Sequence, residues 1–143
     1  MVKFEGSLVG LDTNIFIYHF ENNLEYDPFC SPIFKGLSNN QLKAVTSLIT
    51  LVELLSIRGT QNEINQLHYK FFRTPNLSVS NVELEIAVEA ARIRRIYGFR
   101  VPDSIQLATA LFKQVDSFVT NDSKLTSFKE VQVITLKDLT NIP

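Results

Sequence analysis

A chain of 143 residues, 45% hydrophobic and 20% charged, has the size and balance of one globular domain with a real core, which excludes an intrinsically disordered chain. A net charge of −1 gives no general attraction for nucleic acid, so any such binding has to arise from local arrangement. The most apolar stretch, Leu48 to Ile57, contains Glu53 and is too short to span a bilayer.

Met1-Val2-Lys3-Phe4-Glu5-Gly6 carries an acid and leads into no long apolar run, unlike a signal peptide. The single Cys30 cannot form an internal disulfide, and a reducing cytoplasm is the simplest compartment. No repeat, linker or low-complexity segment divides the chain, so residues 1–143 are expected to form one domain.

Ser7 to Leu11 reads as a short buried strand, followed by a helix over Thr13 to Phe20 with Ile15, Phe16 and Phe20 on neighbouring turns. Pro28 suits the first turn of a second helix running to about Leu37. Leu42 to Thr46 is the second strand. Ser47 to Ile57 is a helix apolar on nearly every face, expected to be buried and to end at Gly59. Asn62 to Phe72 is a further helix, and Asn76 to Ser80 a third strand after Pro75. Asn81 is expected to cap a long amphipathic helix that Gly98 stops after Tyr97. Pro102 opens a helix through Gln114; Ser117 to Thr120 and Val131 to Leu136 complete five strands. Strands alternating with helices predict an α/β fold, a mostly parallel sheet covered on both faces, with its site beyond the C-terminal strand ends.

Two strands run into acids at that edge: Leu11 into Asp12, and Thr120-Asn121 into Asp122. Asp12, Asp103 (behind Pro102) and Asp122 each have a plain alternative as helix-capping or first-turn acids. Glu53 is different. Its helical neighbours Ile49, Thr50, Ser56 and Ile57 include no cation, so it is expected to be the most buried of the four, and to need a metal or a distant partner such as Arg58 or Arg73. Four such carboxylates are a hard-oxygen ligand set suited to Mg²⁺ or Mn²⁺, ions that activate water and screen phosphate charge. His19 and His68 read as surface or partly packed. No Cys/His cluster suggests zinc, and neither GxxxxGK[ST] nor GxGxxG occurs.

Four motifs carry a resemblance: Leu11-Asp12-Thr13-Asn14-Ile15-Phe16-Ile17-Tyr18, Ser47-Leu48-Ile49-Thr50-Leu51-Val52-Glu53-Leu54-Leu55, Val101-Pro102-Asp103-Ser104-Ile105-Gln106-Leu107-Ala108-Thr109-Ala110, and Phe118-Val119-Thr120-Asn121-Asp122. In this order and spacing the chain resembles the PIN-domain ribonucleases, and among them the VapC-like toxins of bacterial toxin–antitoxin systems. The resemblance implies a three-layer α/β/α sandwich, Mg²⁺ or Mn²⁺ dependence, endonucleolytic cleavage of single-stranded or looped RNA, a cognate antitoxin and a homodimer. Asp12, Glu53, Asp103 and Asp122 match the family's four catalytic and metal-binding acids, and Thr13, Asn14 and Thr120 its supporting polar residues. The chain departs from many relatives at Lys124, where they carry a further acid. Asp122 is then the only acid on that edge, and the number of ions stays open.

With four of the 15 acids assigned to the site, the remaining 11 face 14 Lys and Arg, a balance of +3 around it. Arg92, Arg94, Arg95 and Arg100 cluster near the third motif. Arg92, Arg95, Arg100 and Lys124 are candidate phosphate contacts, or else solvated side chains. Phe16, Tyr18, Phe20, Phe29 and Phe34 are expected to be mostly core, any exposed one marking a dimer or antitoxin groove. Two other functions compete. A phosphatase of the haloacid dehalogenase type would need Asp-x-Asp after the first strand, and Asn14 stands at the second position. A catalytically silent binding module would bury like charges with no ion to hold.

Overall fold

The structure, a computed structural model, describes residues 6–139. Five strands, β1 (Leu8–Leu11), β2 (Lys43–Ser47), β3 (Leu77–Ser80), β4 (Ser117–Thr120) and β5 (Val133–Thr135), form one all-parallel sheet in the order β3-β2-β1-β4-β5. The helices are α1 (Thr13–Phe20), α2 (Asp27–Ser38), α3 (Leu48–Leu55), α4 (Gln61–Phe72), α5 (Leu84–Tyr97), α6 (Val101–Phe112) and α7 (Leu136–Leu139), with a 3-10 turn over Ser123–Ser127.

The two-residue alternation of the strands divides the core between the faces of the sheet. Val9, Leu11, Ala44, Val119 and Ile134 pack with Phe16 of α1, Phe34 of α2 and Phe71 of α4. On the other face Val45 and Phe118 pack with Ile86 and Ile93 of α5 and Leu107 of α6. Gly10 points to that second face, where a Cβ would lie 2.9 Å from the Phe118 ring, so glycine lets the two elements approach. Phe16 anchors the first face, its ring 5.6 Å from that of Phe34 and 5.3 Å from that of Phe71, both edge-on. The sandwich and the parallel sheet are as the alternation predicts. Gly98, in the left-handed region at φ 76°, ends α5 with its amide bonded to the Arg94 carbonyl at 2.9 Å.

Three local expectations are corrected. α3 is not buried all round: Val52 is 58% exposed and Leu48 also faces solvent, because packing against α1, α4 and α6 covers only part of its surface. It stops at Leu55, two residues short of the expected Ile57, so Gly59 is not what ends it. Ser56 takes the cap position and its hydroxyl donates to the Val52 carbonyl at 2.5 Å. Asn81 does not cap α5, which begins at Leu84 with Glu83 at the cap position; residues 81–83 carry the chain from the edge strand β3 to the helical layer. Among the described residues no helix is long and apolar enough to cross a membrane.

Candidate active site

The strand order makes β1 and β4 neighbours although their connections leave in opposite directions, and a crevice opens where strand order reverses in this way. Asp12 follows β1 and Asp122 follows β4, so the two flank that crevice. β2 runs directly into α3, which carries Glu53 to the same edge, and the first turn of α6 brings Asp103. All four acids, with Thr13, Asn14, Ile17 and Arg100, line one cleft of about 280 Å³.

Asp12, not Glu53, is the most buried of them, at 6% exposure; Asp103 follows at 9%, and Glu53 and Asp122 are half-buried. The Thr13 amide donates to Asp12 Oδ1 at 2.8 Å and the Thr120 hydroxyl to Oδ2 at 2.6 Å. Burial nevertheless pushes the Asp12 carboxyl up to about 6; the two hydrogen bonds oppose that rise, and the charges of Asp103 and Glu53 add to it. A carboxylate held this far from water beside two other acids is an anion short of a cation.

Glu53 has its partner in a hydroxyl rather than a cation. Thr13 Oγ1 donates to Glu53 Oε1 at 2.8 Å, while Arg73 lies over the Tyr69 ring, 4.9 Å from its centroid. Behind this bond runs a buried network whose proton directions follow from counting donors. The Thr46 hydroxyl donates to the Leu11 carbonyl at 2.8 Å, so Thr50 is the donor of the 2.7 Å bond to Thr46 Oγ1. Gln106 Nε2 spends its two protons on Thr50 Oγ1 at 2.6 Å and Thr13 Oγ1 at 3.3 Å. Its carbonyl accepts the Ser47 amide at 3.4 Å, which fixes the amide's orientation. Thr13 has two acceptors in reach, Thr50 Oγ1 at 3.2 Å and Glu53 Oε1 at 2.8 Å, and its one proton goes to the nearer, charged carboxylate. Thr46, Thr50 and Gln106 escaped the sequence reading as site-supporting residues. Their signal is a polar side chain on the inward face of an apolar element.

Asp103 Oδ2 accepts from Arg100 Nε at 3.3 Å, and Asp122 Oδ1 caps the 3-10 turn by accepting the Lys124 amide at 3.0 Å. The Asp122 amide donates to Thr120 Oγ1 at 3.0 Å, so Thr120 ties the acids of β1 and β4 together. Asn14 Oδ1 accepts the Asn121 amide at 3.3 Å. The donor set is one of hard oxygens, which suits Mg²⁺ or Mn²⁺, and such ions take one or two carboxylates and complete their shell with water. As placed, no three His, Cys, Asp or Glu side chains among the described residues stand close enough to hold an ion together. The four acids therefore share a cleft without converging on one point.

Of the proposed phosphate contacts, only Arg100 lines the cleft. Arg92 is committed elsewhere, bridging Glu89 at 2.5 Å and Glu130 at 2.7 Å, while Arg95 and Lys124 are exposed. His19 is half-buried, stacked on Phe34 at 4.0 Å and 2.8 Å from Asp27; His68 is exposed.

The sequence profile of the PIN domain matches residues 9–132, nearly the whole chain. The chain belongs to the PIN-domain family. That membership replaces the phosphatase alternative, whose pattern already fails at Asn14. Solved structures share the PIN fold across its length. A chain of a toxin–antitoxin complex from Klebsiella pneumoniae is 23% identical with a TM-score of 0.69, covering 90% of this chain and 97% of that one. VapBC2 from Rickettsia felis, bound to a DNA fragment from its promoter, gives 18% identity and a TM-score of 0.71, covering 90% and 98%. DNA-bound VapBC from Salmonella typhimurium gives 19% and 0.69, covering 91% and 98%. No curated protein sequence matches the chain as a relative.

Proposed function

We propose that this PIN domain is a Mg²⁺- or Mn²⁺-dependent endoribonuclease that cuts single-stranded or looped RNA, and that it is the toxin of a toxin–antitoxin pair. The observation that carries the reading is the cleft at the β1/β4 crevice, lined by Asp12, Glu53, Asp103 and Asp122, with Asp12 buried and short of a cation. Asp12, Glu53, Asp103 and Asp122 would hold the ion. Bound there, it supplies an activated water and screens the charge of the scissile phosphate. Thr13 and Thr120 hydrogen-bond three carboxylate oxygens, two of Asp12 and one of Glu53, and so orient them in the cleft. Arg100 at the cleft and the exposed Arg95 and Lys124 are the candidate RNA-phosphate contacts.

The toxin role draws on the fold shared with chains of toxin–antitoxin complexes, and with it comes a cognate antitoxin as expected partner; a homodimer is what the family resemblance implies. The free, buried Cys30 suits a cytoplasmic site of action. The test is incubation of the purified protein with labelled single-stranded RNA in Mg²⁺, Mn²⁺ or EDTA. Cleavage only with metal, leaving 5′-phosphate and 3′-hydroxyl ends, is expected. Full activity in EDTA, or 2′,3′-cyclic phosphate ends, overturns the mechanism. Growth arrest on expression, relieved by the product of the neighbouring reading frame, tests the toxin role. A silent PIN-like binding module is the second reading, favoured by the failure of three acids to converge. It requires that Mn²⁺ neither binds nor supports cleavage.

A further inference from the structure

We propose that Arg100 is the built-in counter-cation of the acidic cleft and that it exchanges partners: it holds Asp103 until a divalent ion arrives, then turns its guanidinium to a phosphate of the RNA. The inference rests on the nuclease reading and assigns a positioning residue within that same site.

Arg100 is the one cation among the eight residues lining the cleft. Its backbone is fixed: it occupies the cap position of α6, and its carbonyl accepts the Ser104 amide at 2.9 Å. Its side chain is not. It is 74% exposed and reaches Asp103 through a single Nε contact at 3.3 Å. A guanidinium has five N–H donors in a planar fork, and among the described residues Arg100 uses one. Two of the other arginines near the third motif are committed elsewhere, and the third, Arg95, does not line the cleft. Arg92 is spent on two glutamates, and Arg94 donates to the Phe99 carbonyl at 2.7 Å. An exposed, one-point ion pair of this kind adds little to stability and breaks readily. A doubly charged ion has the stronger claim on Asp103 and repels the guanidinium. Freed at the rim of the cleft, the fork is suited to bidentate capture of phosphate, for which a planar guanidinium is better shaped than an ammonium.

Exchange makes two predictions of opposite sign. Removing the charge removes a competitor of the metal and a ligand of the RNA together. The experiment compares wild type, Arg100→Gln and Arg100→Lys. Mn²⁺ binding is measured calorimetrically without RNA. Binding of a fluorescein-labelled single-stranded RNA of mixed sequence is followed across a salt series, once in Ca²⁺ under conditions where a gel shows it uncut, and once in EDTA. In Arg100→Gln, Mn²⁺ should bind roughly three- to tenfold more tightly. The slope of log affinity for RNA against log salt should shrink by about 0.7, the loss of one phosphate contact to a single strand, in Ca²⁺ but not in EDTA. Arg100→Lys should restore the slope. Unchanged or weaker Mn²⁺ binding in Arg100→Gln, or a salt slope equal to wild type in Ca²⁺, overturns the exchange while leaving the nuclease reading standing. A wild-type protein that binds neither Mn²⁺ nor RNA overturns both.

Discussion

Replacing Asp12 by Asn should raise the melting temperature of the metal-free protein while destroying its activity. The reason is the cost of an ionised carboxylate in the position Asp12 occupies. Its carboxyl rises from an ordinary value of 3.8 to about 6 on folding, chiefly through burial. At about 1.4 kcal/mol per pH unit, the ionised form costs the fold about 3 kcal/mol above pH 6. The sign follows from proton binding. Between pH 3.8 and about 6 the folded state holds the proton that the unfolded chain has released, so stability is full below 3.8 and falls as pH rises through 6. Asn keeps the shape without the charge. Its oxygen still accepts the Thr13 amide, but the Thr120 hydroxyl loses its acceptor, at a cost of about 1 kcal/mol. The net gain at pH 8 is about 2 kcal/mol, or roughly 6 °C for a domain of this size. At pH 4 only the lost bond remains, so the two curves should cross near pH ~4.5. Thermal melts of both proteins in EDTA from pH 4 to pH 8 read this directly. An Asp12→Asn protein that melts below wild type at pH 8, or a difference that stays constant across the range, would refute the argument that Asp12 carries an uncompensated charge.

Three further outcomes follow from the same cleft. Excess Mn²⁺ should stabilise wild type by about 2.7 kcal/mol at a hundredfold excess over its dissociation constant, and Asp103→Asn by clearly less; equal shifts in a melting assay would remove Asp103 from the ion's ligands. Glu53→Gln should melt within about 1 kcal/mol of wild type in EDTA, because Glu53 is half-buried and bonded to a hydroxyl rather than to a fixed cation, yet RNA cleavage should be lost; a large drop in melting temperature would make Glu53 a structural residue. Gln106→Leu strands the Ser47 amide and deprives Thr13 and Thr50 of a donor, so urea denaturation should report a loss of about 2–4 kcal/mol, and retention of wild-type stability would show that water replaces the network.

The parts of the site that are readable from sequence lie next to chain features with their own signatures. An apolar run ending in Asp12, and another ending two residues before Asp122, mark strand ends; a parallel sheet then sends both acids to one edge, and the strand order bears this out. The Pro102-Asp103 pair marks a helix start, and Gly98 a helix stop, because each residue has a backbone preference that few neighbours override. Burial is the quantity that sequence conveys poorly. Leu48 to Leu55 is apolar on every side, which suggests a deeply buried helix with Glu53 inside it. The eight residues instead pack against α1, α4 and α6 on one side, with Val52 outward and Glu53 half-buried at the cleft. Asp12 reads as an ordinary cap, yet it is closed over by the acids and hydroxyls of three other segments.

Hydrogen-bond direction is conveyed least of all. Gln106 is 93 residues from Thr13 and 56 from Thr50, and neither spacing marks a contact. Only when α1, α3 and α6 are assembled does Gln106 reach both threonines and Thr13 come within bonding distance of the Glu53 carboxylate. The geometry thus imposes a division of labour among the acids that their shared chemistry does not. Asp12 carries the desolvation cost and has both oxygens satisfied by neutral donors, Glu53 is aimed by a relay that begins at an amide, and Asp103 is tied to the one cation in the cleft. A substitution at any of the four therefore differs in its stability effect even if it is equal in its effect on cleavage. Melting curves and cleavage rates taken together separate the roles where activity alone would merge them.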